Sequence, residues 1–287
     1  MSDSTGKSIA RMLPAPLRRW GRRMLDTATL LRTALHRSHW KVKSANAVPG
    51  SVMRWQGYAI TINDGPNFYV LYKDIVLAGI YRFTATRPNP VILDCGSNIG
   101  MSILYFKHLY PGARIIGFEP DPVVLRYLQE NVSANRLTDV EIVQAAVGGK
   151  DDFLTFYSDG KYGSCLAHLQ SGPVPDGWTR HQVPCIRLRD YLTEPVDFMK
   201  MNIEGAEWEA LADSEDRLRL IHEMVIEYHH LPGLPRTLHR ILDLLDRQGF
   251  EYLINDFDAE TNAGVQPPFQ LTASTPYFLL IYAKRMR

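Results

Sequence analysis

At 287 residues, 45% of them apolar, the chain is long enough to bury one substantial core and carry an appendage. The formal net charge of +1 hides an uneven distribution: residues 1–50 hold ten Lys/Arg against two Asp, and the other 237 hold 22 basic against 29 acidic side chains. An acidic body excludes a broad nucleic-acid surface, which needs a basic stripe on the folded domain itself.

In chain order, the first signal lies between Pro16 and His36, where Leu17, Trp20, Met24, Ala28, Leu31 and Leu35 recur at helical spacing beside Arg18, Arg19, Arg22 and Arg23. This basic amphipathic helix, within an extension spanning 1–50, is expected to pack on the body or on a second copy of the chain. Peripheral contact with an anionic membrane is the alternative. Arginines interrupt the N-terminal apolar residues before a signal-peptide core could form, and no run of about 18 apolar residues suggests a membrane span. Cys95, Cys165 and Cys185 include no C-x-x-C pair, so a reducing, cytoplasmic setting is expected.

Residues 51–85 read as a small β-rich lead-in, with apolar runs Tyr58–Ile62 and Phe68–Tyr72 on either side of the turn signal Asn63-Asp64-Gly65-Pro66. Strands and helices then alternate, which predicts a mostly parallel sheet with helices on both faces. The first strand is Pro90–Asp94, followed by a helix from about Gly100 to Leu109; the second is Arg114–Phe118, followed by a helix with Asp121 as N-cap and Pro122 at its first position. Val140–Val147 is the third strand. Further strand-like runs, Phe153–Tyr157 and Gln182–Leu188, bracket a loop at Ser158–Gly177. Val196–Met201 and Met224–Tyr228 are strands four and five. A helix over Pro235–Gln248 precedes two last strands, Phe250–Ile254 and Tyr277–Ala283, expected as an antiparallel edge. The sum is a doubly wound α/β domain, 51–287, on a seven-stranded sheet.

The first strand ends in Asp94-Cys95-Gly96-Ser97-Asn98-Ile99-Gly100 and turns directly into a helix, placing glycines where a ligand approaches the backbone. A dinucleotide turn would carry a middle glycine where Asn98 stands, and Asp94 would repel a pyrophosphate. A ligand with an ammonium and a sulfonium suits this turn better. Glu119, 19 residues after Gly100 at the next strand end, is placed to accept hydrogen bonds from ribose hydroxyls.

Four segments in order, VILDCGSNIGMSILYF, GFEPDP, QAAVGG and FMKMNIEGAEWEAL, resemble the class I S-adenosylmethionine-dependent methyltransferases and, more narrowly, the FkbM family. The resemblance covers residues 75–255 and implies a Rossmann-like fold with S-adenosyl-L-methionine as cofactor. It implies that Asp94, Gly96, Ser97, Asn98 and Gly100 surround the methionine part, that Glu119 holds the ribose, and that Ala145 and Ala146 lie near the adenine. The family pattern Lys-x-Asp-x-Glu-Gly-x-Glu reads Lys200-Met201-Asn202-Ile203-Glu204-Gly205-Ala206-Glu207 here. Asn202 replaces the usual Asp; an amide can still hydrogen-bond the cofactor but cannot act as a base.

An alcohol acceptor must lose its proton as the new bond forms. Glu204, Glu207, Glu227, His229 and His230 stand at strand ends, and one of the two histidines is the preferred base, with Glu204 beside them. Glu204, Glu227 and His229 are ligand types without a recognised metal spacing, so no metal is expected. The resemblance implies O-methylation of a small molecule or glycan. The alternatives are an N or carboxyl acceptor, or a scaffold that binds the cofactor without turning it over. An Asn/Asp-Pro-Pro-aromatic motif for nucleic-acid bases is absent after strand four. The acceptor pocket is expected from Arg54–Arg82, Ser158–Gly177 and Phe257–Thr275, with Tyr157, Tyr162, Trp178 and Phe269 as stacking candidates.

Overall fold

The structure, a computed structural model, describes residues 37–161, 164–166, 173–174, 176–231, 234–256, 267–268, 272 and 275–286. The amphipathic stripe at Leu17–Leu35, Tyr162, Phe269 and most of the 257–275 loop lie outside the described residues. The chain divides into two compact units at Ala47/Val48; in the first, residues 37–45 form a helix, α1. Among the described residues no helix is long and apolar enough to cross a membrane.

The second unit opens with the hairpin β1 (Val52–Trp55) and β2 (Tyr58–Thr61). Beyond it the expected strand at Phe68–Tyr72 is a helix instead, α2 (Gly65–Leu71), continued by a π-helical segment, Tyr72–Ala78. The turn signal there is a helix start: the Asp64 carboxylate accepts the Asn67 N–H at 2.8 Å and Pro66 occupies the first turn.

Seven strands form the main sheet: β3 (Val91–Cys95), β4 (Arg114–Phe118), β5 (Val140–Val143), β10 (Val196–Met201), β11 (Ile221–His230), β12 (Phe250–Asp256) and β13 (Tyr277–Arg285). Their order is β12-β13-β11-β10-β3-β4-β5, parallel from β11 through β5, with β13 antiparallel to both of its neighbours. Helices α3 (Met101–Leu109), α4 (Pro122–Ala134), α5 (Glu207–Asp213) and α6 (Leu238–Arg247) complete it. The chain starts the sheet at β3, winds outward through β4 and β5, then returns to β10 on the other side of β3. The topological switch point therefore lies between β3 and β10, and a ligand crevice is expected at the carboxyl ends there.

The expected third strand, Val140–Val147, breaks at Gln144-Ala145. Its second half, β6 (Ala146–Gly148), joins a separate sheet of order β6-β9-β7-β8, with β7 (Asp152–Ser158), β8 (Ser164–Leu166) and β9 (Thr179–Arg187). Strand β11 runs past the expected end at Tyr228, so His229 and His230 are strand residues rather than loop residues.

Alternation across the pleat decides what the sheet presents on each face. Leu93, Cys95, Met199, Met201, Met224, Ile226 and Tyr228 belong to one core, packed with α5 and α6 residues such as Leu211 and Leu244. Asp94, Lys200, Glu227 and His229 are the intervening residues, on the opposite face; the first three are buried, and the His229 side chain is 7% exposed. Burying charges on a sheet face is costly unless each is paired, and these four residues prove to be the frame of the site.

Candidate active site

The turn between β3 and α3 takes left-handed backbone at Gly96 (φ +83°), Asn98 (φ +49°) and Gly100 (φ +87°). Gly96 is required by its neighbour: a Cβ there would lie 1.9 Å from the Asn202 carbonyl oxygen. Gly100 serves helix packing, since its Cβ would meet Leu128 Cδ1 at 2.8 Å. The glycines thus let β10 and α4 close on the turn, a reason the sequence reading had assigned to ligand approach.

Asp94 is wholly buried. Its Oδ2 accepts the Ser102 hydroxyl at 2.5 Å and its Oδ1 lies 3.3 Å from the Lys200 ammonium. Lys200 in turn donates to the carbonyls of Cys95, at 3.2 Å, and Gly96. Asp94 thus holds Lys200, and Lys200 holds the turn.

Glu119 couples the turn to the next strand end. Its Oε2 accepts the Asn98 N–H at 2.8 Å and its Oε1 the Asp121 N–H at 2.9 Å. Burial pushes its carboxyl up to about 7, against the two backbone donors, which favour the ionised form. Asp121 caps α4 through the N–H of Val123 at 2.7 Å and accepts the Ser158 hydroxyl from β7, tying the small sheet to the same corner.

These elements wall a cavity of about 480 Å³ at the carboxyl ends of β3, β4, β10 and β11, a volume within the usual range for ligand sites. Gly96, Ser97, Asn98, Glu119, Ala145, Ala146, Asn202, Glu204 and His229 all line it, as does Trp178. Asp94, Gly100 and His230 stand outside it. His230 lies on the other face of β11, its ring 4.6 Å from that of Tyr277, because alternate strand residues face opposite ways.

At the β10–β11 side, two linked sets of polar groups meet. Glu207 Oε1 accepts the Gly205 N–H at 3.0 Å and lies 3.0 Å from His229 Nδ1, while His229 Nε2 is 3.7 Å from Glu204 Oε2. Glu204 has φ +56°, a strained conformation for a residue with a Cβ. Beside them, Glu227 accepts Asn202 Nδ2 at 2.8 Å and the Tyr81 hydroxyl. Asn202 Oδ1 is buried without a hydrogen-bond partner. Position 202 therefore does not leave the site short of a carboxylate, because Glu227 stands against it; an Asp there would face Glu227 as a like charge.

Burial by itself would lower the basicity of His229, but Glu204, the hydrogen bond that the ring donates to Glu207, and Glu227 outweigh it and push the imidazole up to about 10. Burial raises the carboxyls of Glu204 and Glu227 above the ordinary range, with His229 and Lys200 opposing. The balance of these neighbours favours the charged form of the His229 ring beside Glu204 and Glu207. Glu204 lines the cavity with its carboxylate 3.7 Å from that ring, whereas Glu207 stands behind the ring and outside the cavity.

Tyr81 and Lys200 were missed as site residues. A signal existed for Lys200: a lysine within the buried run Val196–Met201 needs a partner, and Asp94 sits beside it in strand register. Tyr81 carried none. Among the described residues no group of three or more His, Cys, Asp or Glu is arranged to hold a metal ion.

The family model for the methyltransferase FkbM domain matches residues 94–252. Methyltransferase 1 of Beauveria bassiana is 29% identical over 60% of this chain and 78% of its own length. The 31-O-demethyl-FK506 methyltransferase FkbM of Streptomyces tacrolimicus is 26% identical over 63% and 80%, and the 2-O-methyltransferase NoeI of Sinorhizobium fredii 28% over 55% and 72%. A match that runs from Asp94, at the head of the glycine turn, through the α6 helix to Tyr252 takes in the carboxyl ends of β3, β4, β10 and β11 that wall the cavity: this chain belongs to the FkbM family of methyltransferases.

Proposed function

We propose that this methyltransferase transfers the methyl group of S-adenosylmethionine to a hydroxyl of a small molecule or glycan. The observation that carries the reading is that one cavity wall holds Glu119 with backbone donors on both oxygens and another holds Glu204 with its carboxylate 3.7 Å from His229.

The residues present fit the cofactor. Glu119 keeps lone pairs free for two ribose hydroxyls after taking the N–H groups of Asn98 and Asp121, and Ala145 and Ala146 offer an apolar ledge for a base. Gly96, Ser97 and Asn98 bring backbone to the cavity, and the unpartnered Asn202 Oδ1 is an acceptor for an ammonium or hydroxyl donor. When bound, S-adenosylmethionine supplies an electrophilic methyl on sulfur for in-line displacement.

The protein then has to align the acceptor, exclude water and take one proton. Glu204 is the base: burial raises its carboxyl, the direction that makes a carboxylate a better proton acceptor, and the neighbouring His229 opposes that rise and favours the ionised form. Glu207 orients His229 from behind. His230 has no part in the reaction. The two relatives named as O-methyltransferases support oxygen as the acceptor atom. The acceptor is small enough, or presents a small enough end, to enter beside Trp178.

The test is transfer of labelled methyl from S-adenosylmethionine into a host small-molecule extract, with the product's new methyl assigned by NMR. An O–CH₃ resonance, lost when Glu204→Gln replaces the native chain, is the expected outcome. An N-methyl product or a methyl ester would overturn oxygen transfer, and no transfer to any component would favour the scaffold alternative.

A further inference from the structure

Among the described residues lining the cavity, acidic side chains outnumber basic ones by five to three, and the positions of their partners sharpen the imbalance. Each base is held by a carboxylate behind the wall: Lys200 by Asp94 at 3.3 Å, His229 by Glu207 at 3.0 Å, and Lys161 by Asp64 at 3.9 Å. None of those three carboxylates lines the cavity. Of the acids that do, Asp74 has Lys73 at 3.5 Å and Glu204 has His229 at 3.7 Å, whereas the other three meet no cation so near: Glu119 and Asp121 take neutral backbone and hydroxyl donors, and Glu227 takes the Tyr81 hydroxyl and the Asn202 amide. Positive charge in the wall is neutralised from behind; negative charge in the wall is satisfied mainly by dipoles, which leave its field intact. A ligand charge inside such a cavity feels a net negative potential, and low-dielectric walls strengthen it.

We propose that the cavity selects its occupants by charge: it favours the sulfonium donor over the neutral thioether left after transfer, and it admits acceptors that are neutral or cationic around the reacting hydroxyl while excluding phosphorylated and carboxylated ones. The inference rests on the function proposed above and extends it to substrate class and product release. Methyl transfer removes the positive charge from sulfur as Glu204 takes the hydroxyl proton, so the completed reaction leaves a product pair that the cavity holds less well than the reactants. A phosphate beside the reacting hydroxyl would meet Glu204 and Glu227 with every basic side chain in the wall already engaged.

The experiment compares calorimetric dissociation constants of the full-length protein for S-adenosylmethionine, for sinefungin, which has an amine cation in place of the sulfonium, and for S-adenosylhomocysteine. Both cationic ligands are expected to bind at least tenfold tighter than S-adenosylhomocysteine, a gap of about 1.4 kcal/mol. The gap should shrink in Glu227→Gln and, as an independent variant on the Tyr72–Ala78 segment, in Asp74→Asn. Equal or tighter binding of S-adenosylhomocysteine by the native protein overturns the charge selection. Binding of none of the three overturns the assignment of the cofactor itself, a distinct result. In a second arm, hydroxylated acceptors are offered as neutral and phosphorylated pairs; methylation of a phosphorylated member at the rate of its neutral twin also overturns the proposal.

Discussion

The two walls of the cavity are built by different means. The wall at β3 and β4 is made of backbone: a turn of five residues with three left-handed positions, closed on Glu119 by two N–H donors. The wall at β10 and β11 is made of side chains from separated segments, with Tyr81, Asn202, Glu204, Glu207, Glu227 and His229 setting one another's charge. A backbone wall tolerates little change in conformation but needs few specific side chains. A side-chain wall tolerates conformational change better, and its chemistry depends on every neighbour.

That contrast can be broken most severely at Gly96. Gly96→Ala combines a Cβ 1.9 Å from the Asn202 oxygen with φ +83°, so it should cost about 3 kcal/mol or more and abolish cofactor binding. Chemical denaturation and calorimetry check it; a variant of native stability would mean that the turn and β10 are not packed as described. On the other wall, Glu204→Gln should lower turnover about 10²- to 10⁴-fold while changing the cofactor dissociation constant little. A parallel loss of binding would place Glu204 in cofactor recognition instead.

The same contrast governs how much could be read from the sequence. The glycine turn and Glu119 were legible because backbone geometry leaves a local signature, a glycine pattern with a carboxylate at the next strand end. The main sheet was legible for a similar reason: unbroken apolar runs separated by capped helices. The Phe68–Tyr72 segment was misread because an Asp-Gly-Pro turn and a capped helix start use the same residues. The break at Gln144-Ala145, which sends β6 to a second sheet, has no local mark. His229 was named, but its protonation was beyond sequence, since it depends on Glu204 and Glu207 from the β10–α5 connection and on Glu227 two residues earlier on its own strand. His230 and His229 looked equivalent until the strand was seen to continue, after which alternation separates them.

A smaller effect distinguishes the walls by pH. Burial pushes Glu119 up to about 7, so if it holds the ribose as proposed above, cofactor affinity should fall as pH drops through 7, up to about tenfold per pH unit below it. Glu119→Gln should weaken binding at pH 8 and flatten that dependence; an unchanged slope would assign the titration to another group. The histidine wall acts through stability in the opposite direction along the scale. The folded value for His229, about 10, lies above its ordinary 6.5, so the folded state retains a proton that the unfolded chain releases. Its contribution is complete below 6.5 and is lost as pH rises toward 10. Denaturation midpoints of the native protein and His229→Gln should therefore converge over that window.

The least effect on chemistry is expected at His230. His230→Gln should keep turnover within about twofold despite some loss of packing against Tyr277, whereas His229→Gln should lower turnover by an order of magnitude or more through the Glu204 it keeps ionised.

The central claim is that His229 is a cation that serves a carboxylate base. Imidazole nitrogen shifts of His229, followed by two-dimensional ¹H–¹⁵N NMR across pH 6 to 10, test it most directly. The expected result is an imidazolium throughout pH 6 to 8 with an apparent pKa well above 6.5, lowered in Glu207→Gln. A neutral tautomer of His229 at pH 7.5 in the native protein would contradict it and return the role of base to the histidine.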